Sequence, residues 1–327
     1  MIVGGFGDDR FDASADQPET EEGDRHDRRA ERENRRVARL GEHGDEPGGD
    51  QRARDRGGAA DPREAADRAA AEIVARQRLD ITDRHLEAEQ DAGDQQHGGQ
   101  GIARAGVRVA INYNSGRDAA EDTLKAIKDA GGDAFLIQAD VTDSGAVRTM
   151  LEEVGVAFSG RLDILVNLAG GMIARKTLSE MDEAFFDEVM TLNLKSAFLV
   201  LQAAQPFLGE GSAVVNVSSL AGRDGGGPGA SVYATAKGAL MTYTRSMAKE
   251  LGPQGIRVNA VCPGLIGTSF HDIFSKPEGR AATAGNTPLR REGHPDEVAD
   301  TIVYLASPAA SFLAGVCLDV NGGLGFS

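Results

Sequence analysis

Tyr233 and Lys237 stand four residues apart, and Ser219 precedes the tyrosine by fourteen. On a helix, residues four apart share a face, so the phenol and the ammonium would be neighbours. A phenol keeps its proton up to a pKa of about 10 and by itself is a poor acid or base at neutral pH. A cation beside it favours the phenolate. Bringing the phenol near pH 7 takes about 3 pKa units, or roughly 4 kcal/mol, which an ammonium acting with a second cationic ring in a water-poor site can supply. The Ser219 hydroxyl, able to donate and accept, would hold a substrate oxygen. Together these three residues describe proton exchange at an oxygen. The spacing alone is weak, because a Tyr with a Lys four later arises by chance in about one such chain in ten, on an ordinary amphipathic helix.

The elements that would position these groups can be read around them. The apolar run Ala213 to Val217 reads as a buried strand that stops at two serines. A glycine-rich turn follows, then a helix carrying Tyr233 and Lys237 to about Leu251. From Gly106 onward, strands alternate with helices. Strands are expected at Val107 to Ile111, Ala134 to Gln138, Leu162 to Val166, Ala213 to Val217, Ile256 to Val261 and Val316 to Val320. Helices are expected at Asp118 to Ala130, Ser144 to Phe158, about Asp182 to Phe207, through Tyr233, and near Pro295 to Ala306. Runs apolar on both faces and joined through helices imply an α/β, doubly wound parallel sheet. Six strands are legible.

Four further segments keep company with the Tyr233 helix: NLAG at Asn167 to Gly170, LNLKSAF around Asn193, NVSS at Asn216 to Ser219, and RVNAVCPG at Arg257 to Gly264. In this order they resemble the short-chain dehydrogenase/reductase family, in the subgroup that includes 3-oxoacyl-carrier-protein reductases and bacterial sugar and alcohol dehydrogenases. The resemblance covers about Gly106 to Ser327. It implies a Rossmann-like domain over residues 101–327 and an NAD(P)(H)-dependent interconversion of a ketone and a secondary alcohol, with 3-oxoacyl thioester reduction as one candidate. The family's catalytic tetrad falls on Asn193, Ser219, Tyr233 and Lys237, and no metal is implied. Tyr233 would pass the proton, Lys237 would lower its pKa and bond the ribose, Ser219 would orient the carbonyl, and Asn193 would hold a water for proton relay. Ser218 is the rival for Ser219, and the spacing to Tyr233 favours Ser219.

Cofactor contacts carry over in the same way. Asp140 would bond the adenine amino group, with Val141 behind the ring, and Asn167, Ala169 and Gly170 would let the dinucleotide lie close to backbone. NLAG stands where NNAG is commoner, which removes one polar contact. Pro263, Gly264, Ile266 and Thr268 resemble the loop that anchors the carboxamide. Asn114 and Ser115, neutral and followed by Arg117, lie where an acidic residue would select NAD(H), which favours NADP(H). Leu265 to Arg291, with Phe270, Phe274 and Pro277, occupies the family's lid position, and its Gly, Ser and Ala content suggests mobility. A ketoacyl thioester or a sugar fits equally well, and Arg175, Lys176, Arg290 and Arg291 are candidates for a basic border that would meet an acidic acyl carrier. The resemblance further implies a homotetramer that pairs the Asp182 and Tyr233 helices.

Residues 1–100 differ in kind. They hold about 26 acidic residues, 16 arginines and no lysine, with too few large aliphatics to form a core. Disorder is expected, with a helix at Pro62 to Leu79 and a shorter one near Arg84 to Gln90 as local exceptions. The family's first strand and its TGxxxGxG phosphate loop have no good copy. HGGQGI at His97 to Ile102, with Gly98, Gly99, Gly101 and Ile102, resembles the tail of that loop but lacks a preceding strand and leaves too short a crossover. MIVGGFG is followed by no helical period and is set aside as that unit. Either the first hundred residues are not the domain's native start, as their composition favours, or the chain lacks its phosphate loop. The second case leaves a rival function, a non-catalytic dinucleotide-fold scaffold or sensor.

Composition narrows the partners. A formal net charge of −16 argues against nucleic acid, which a basic stripe would serve. No apolar run approaches a membrane span and MIVGGFGDD lacks the features of a signal peptide, so neither membrane nor export is expected. Cys262 and Cys317 lie in apolar runs, which predicts buried inert thiols and fits a reducing cytoplasm.

Overall fold

The computed structural model describes residues 2–5 and 106–327. Seven strands among these residues form one sheet: β1 (Ile2–Gly5), β2 (Arg108–Tyr113), β3 (Ala134–Gln138), β4 (Ile164–Asn167), β5 (Ala213–Val217), β6 (Arg257–Pro263) and β7 (Cys317–Val320). Their spatial order is β3-β2-β1-β4-β5-β6-β7, and every pairing that does not involve β1 is parallel. The helices are α1 (Arg117–Asp129), α2 (Ser144–Ala157), α3 (Glu183–Met190), α4 (Ser196–Ala204), α5 (Ala221–Asp224), α6 (Ser231–Leu251), α7 (Ser269–Phe274), α8 (Pro277–Asn286) and α9 (Pro295–Ala306).

Alternation along the strands builds two cores. Ala110, Leu165, Val214 and Val258 point to one face, where Leu151 and Val154 of α2, Val200 of α4 and Leu251 of α6 cover them. Val109, Ile111, Ile164, Val166 and Val215 point to the other, against Ile127 of α1 and Ile302 and Leu305 of α9. All five residues of β5 are buried, as a strand sandwiched between two helical layers requires. Asp182 starts α3 by accepting the Phe185 N–H at 2.8 Å, and His294 and Glu297 close a capping box on α9.

The expected α/β doubly wound sheet is present, and its centre departs from expectation. Ile2–Gly5, set aside in the sequence reading, fills the slot between β2 and β4 and runs antiparallel to both, with Val3 opposite Ala110 on one side and Leu165 on the other. The direction has a consequence for its glycines. Gly5 pairs with Arg108 and Gly4 with Ile164, the first residues of β2 and β4, so both sit at the amino-terminal edge of the parallel strands. A phosphate loop must leave the carboxy-terminal edge. The segment therefore supplies the missing strand and not the missing loop. HGGQGI and the helices expected within Pro62 to Leu79 and Arg84 to Gln90 lie outside the described residues.

Strand β2 also runs two residues further than expected, through Tyr113. Asn112 is thereby drawn into the sheet, buried, its amide donating to the Ala139 carbonyl at 3.0 Å. Among the described residues no helix is long and apolar enough to cross a membrane.

Candidate active site

Ser219 follows the end of β5 and lies half-buried, its hydroxyl accepting the Ala221 N–H at 3.1 Å as α5 begins. Ser218, one residue earlier, is buried and donates to the Lys237 carbonyl at 2.8 Å. Both residues border the cleft, but the Ser218 hydroxyl is spent on the α6 backbone from within, while Ser219 is the more exposed of the two. A second brace runs through the same region. Asn167 donates to Asn216 at 2.9 Å and Asn216 to Thr244 at 2.9 Å, which ties β4 and β5 to α6. An amide inside an apolar strand needs a partner, and that need was the available signal for Asn216. Arg223 of α5 bonds Asp319 at 2.6 Å and the Cys317 carbonyl at 2.5 Å, fixing the turn after Ser219 to β7; nothing in the local sequence marked it. Cys262 and Cys317 are buried free thiols.

Helix α6 brings Lys237 and Tyr233 to the cleft on one face. The lysine is 3 % exposed, its Nζ donates to the Val217 carbonyl at 2.9 Å, and it stands 5.8 Å from the centre of the Tyr233 ring. An ammonium so buried is held in place by its hydrogen bonds, and its charge acts on the phenol through little water.

Asn193 lies in a π-helical turn, Thr191–Lys195, between α3 and α4. The extra residue of such a turn re-aims a side chain and often marks a functional site. Its amide donates to the carbonyls of Gly171 (2.8 Å) and Val189 (2.9 Å), and its Oδ1 accepts the Gly171 N–H at 3.0 Å. Both donors are therefore spent on backbone, and the acceptor oxygen is what faces the site. Gly170 lies between: a Cβ there would come 2.6 Å from Lys237 Nζ and 2.7 Å from Asn193 Oδ1. Asn193, Lys237, Tyr233 and Ser219, which come from three separate stretches of chain, are brought together around this glycine and the end of β5.

A cleft of about 1180 Å³ opens over Ser219, Tyr233 and Lys237, with Asn193 buried behind Gly170 and outside its lining. Gly170, Ser219, Tyr233, Lys237, Pro263, Gly264, Ile266 and Thr268 all line it. Close approach is built into its floor, since a Cβ on Gly264 would fall 2.6 Å from that of Asn321. Lid helices α7 and α8 cover one side, with Phe270 6.0 Å from Tyr233 between ring centres. Arg175, from the loop after β4, straps the lid by donating to the Phe274 carbonyl (2.8 Å) and the Pro228 carbonyl (2.9 Å).

The remaining expected contacts lie outside the lining of this cleft. Asp140 accepts the Thr142 N–H (2.7 Å) and hydroxyl (2.6 Å), while Val141, Asn167 and Ala169 line a separate hollow of about 10 Å³, space for about one water. Asn114 and Ser115 follow β2, the Asn114 carbonyl accepting Gln138 Nε2 at 2.7 Å and the Ser115 hydroxyl being buried with no hydrogen-bond partner among the described residues. A nicotinamide dinucleotide fits the residues present at its nicotinamide end, where the glycine floor, the buried lysine and the phenol converge. At its pyrophosphate end, no glycine-rich loop opening a helix leaves the carboxy-terminal edge of the sheet beside β1 among the described residues.

Comparison with known proteins agrees with this geometry. A family model described as Enoyl-(Acyl carrier protein) reductase matches residues 97–325. A 3-oxoacyl-acyl-carrier-protein reductase of Staphylococcus aureus is 38 % identical over 225 residues, covering 68 % of this chain and 90 % of that one. An uncharacterized oxidoreductase of Escherichia coli is 37 % identical over 228 residues, covering 68 % and 92 %. Among solved structures, a dehydrogenase/reductase from Sinorhizobium meliloti aligns with TM-score 0.67 at 32 % identity over 71 % of this chain and 91 % of the other. A blue fluorescent protein from a metagenomic library, in complex with NADPH, aligns with TM-score 0.67 at 29 % identity over 72 % and 95 %. On the fold and these relatives, the chain belongs to the short-chain dehydrogenase/reductase family.

Proposed function

We propose that the protein interconverts a ketone and a secondary alcohol with NAD(P)(H), and that Asn193, Ser219, Tyr233 and Lys237 carry the proton side of the reaction. The observation that bears most weight is the buried Lys237 ammonium, pinned by the Val217 carbonyl and 5.8 Å from the Tyr233 ring. A bound nicotinamide dinucleotide supplies or takes up the hydride. In the reducing direction, the Tyr233 phenol gives its proton to the carbonyl oxygen, and the Ser219 hydroxyl donates a hydrogen bond to that same oxygen. The phenolate left behind is stabilised by the Lys237 charge. The free lone pair of Asn193 Oδ1 offers a water its anchor on the path by which the proton is replaced. Tyr233→Phe keeps the ring and removes the proton. It is expected to lower kcat by about 10²- to 10⁴-fold; turnover within twofold of wild type would refute the role.

Gly170, Pro263, Gly264, Ile266 and Thr268 would hold the nicotinamide and its ribose, and Asp140, Val141, Asn167 and Ala169 the adenosine side. A preference for NADP(H) is supported by the Ser115 hydroxyl, which has no hydrogen-bond partner among the described residues and lies beside the first turn of α1, a turn with no side-chain cap. Arg117 is occupied by an exposed pair with Glu121 at 2.7 Å, but such a pair holds it by only about 0.3–0.5 kcal/mol. The expectation is a higher kcat/KM with NADPH than with NADH, and the reverse order would overturn it.

The Staphylococcus relative's name supports a 3-oxoacyl thioester among the substrates. A homotetramer is supported by Phe186 on α3 and Phe198 on α4, 45 % and 41 % exposed, and elution as a monomer on gel filtration would exclude it. The rival reading, a scaffold without catalysis, is favoured by one observation, the placement of Gly4 and Gly5 at the edge opposite the cleft. A fluorescence titration with NADPH separates the two readings, because a scaffold without cofactor affinity gives no change.

A further inference from the structure

The cleft separates two kinds of surface. Its polar side chains are largely committed to the protein itself: Arg175 to two carbonyls, Asp224 to the Gly226 N–H (2.8 Å), His271 to Ser275 (2.9 Å), Arg280 to Glu292 (2.5 and 2.7 Å) and Thr283 to the Gly279 carbonyl (2.9 Å). Thr268 lies on the side assigned to the cofactor, and Lys276 is exposed at the rim. The apolar side chains face the cleft without such engagement. Met172, Leu220, Leu265, Phe270, Ile273 and Phe274 line it, and Ile273 is 49 % exposed. Phe270 is the hinge of this surface, with its ring 6.0 Å from that of Tyr233 and 5.0 Å from that of Phe274. When a carbonyl reaches the Tyr233 phenol, the Phe270 ring therefore borders the space beside it that a substituent would enter.

We infer that Phe270 determines specificity, selecting a ketone with an apolar aryl or alkyl substituent over a polyhydroxylated ketone. The inference rests on the ketone–alcohol reading above and names its substrate class. Hydroxyls placed along this wall would leave water and find no partner, whereas an aryl or alkyl group exchanges water for ring and methyl contacts. An apolar wall discriminates against added hydroxyls by about 10²-fold.

The test is a calorimetric titration of the full chain with acetophenone and with ribulose, in wild type, Phe270→Leu, Phe270→Ala and Ile273→Asn. Acetophenone is expected to bind about 10²-fold more tightly than ribulose. Phe270→Ala should weaken acetophenone about tenfold, in line with loss of a buried aromatic contact, while Phe270→Leu stays within about threefold. Ile273→Asn, at a half-exposed position that the fold does not depend on, should weaken acetophenone and not ribulose. Equal binding of the two ketones, no binding of acetophenone, or indifference to Phe270→Ala would each overturn the inference. If acetophenone binds with the expected dependence and NADPH is still not oxidised, the specificity stands and the catalytic proposal falls.

Discussion

Gly170 is a position at which the site tolerates little change. A methyl group there would press on Lys237 Nζ at 2.6 Å and Asn193 Oδ1 at 2.7 Å, and neither can yield without giving up a buried bond. Gly170→Ala is expected to displace the ammonium from the phenol and lower kcat by about 10²-fold, as misplacement of about 1 Å does, at a stability cost of about 1–3 kcal/mol. Steady-state rates beside a thermal melt would show the two effects, and an unchanged kcat would mean that Lys237 need not sit where it does. The adjacent serines should behave oppositely. Ser218→Ala leaves the Lys237 carbonyl without its 2.8 Å donor and should cost about 1 kcal/mol of stability, while Ser219→Ala, which frees only the half-buried Ala221 N–H, should move the melt less and cut kcat/KM. Equal effects at the two positions would erase the distinction. Spacing to Tyr233 made Ser219 legible in the sequence. The clamp made by Asn193 was not legible, because a π-helical turn depends on which carbonyls lie nearby and leaves no periodic trace in LNLK.

At the scale of elements, the lid is where pH should act. His271 of α7 is pushed down to about pKa 4, first by burial and then by the Arg280 charge, with Arg175 adding to the depression and Glu292 and Asp272 opposing it. In the unfolded lid the same imidazole titrates near 6.5. Between those values the open lid binds more protons than the closed one. Closure is thus fully favoured above about pH 6.5 and weakens as pH falls towards 4, by at most about 1.4 kcal/mol per pH unit and less for a group in partial contact with water. Hydrogen exchange of residues 269–286 should quicken between pH 7 and pH 5 relative to the sheet, and His271→Asn should abolish that difference. A pH response that survives the substitution would place the switch elsewhere. The sequence marked Leu265 to Arg291 as a lid but not its two helices. Helix α7 is six residues long and α8 contains Gly279 and Gly285, so neither shows an apolar period; Pro277 at the first position of α8, followed by Glu278, was the clearest start signal present.

Over the whole molecule, the six parallel strands could be read in advance because the central ones are buried on both faces and the edge strands β3 and β7 are half-buried, so each is written as a mainly apolar run. The seventh could not be read in this way. Four residues, IVGG, carry no period, and their partners Ala110 and Leu165 lie more than a hundred residues along the chain. An antiparallel strand also escapes the crossover rule that links the others, so no neighbouring helix announces it. Its place in the sheet is nevertheless decisive, because β2 and β4 would otherwise present unpaired backbone to one another across the centre of the core. Val3 faces Ala110 and Leu165 at once, and proline there removes a central ladder donor. Val3→Pro is therefore expected to lower stability by about 2 kcal/mol or more, read as a fall in the urea midpoint with an unchanged slope. An unmoved midpoint would mean that Ile2–Gly5 does not hold the slot, which would reopen it to a parallel strand whose following loop leaves on the side of Tyr233 and Lys237.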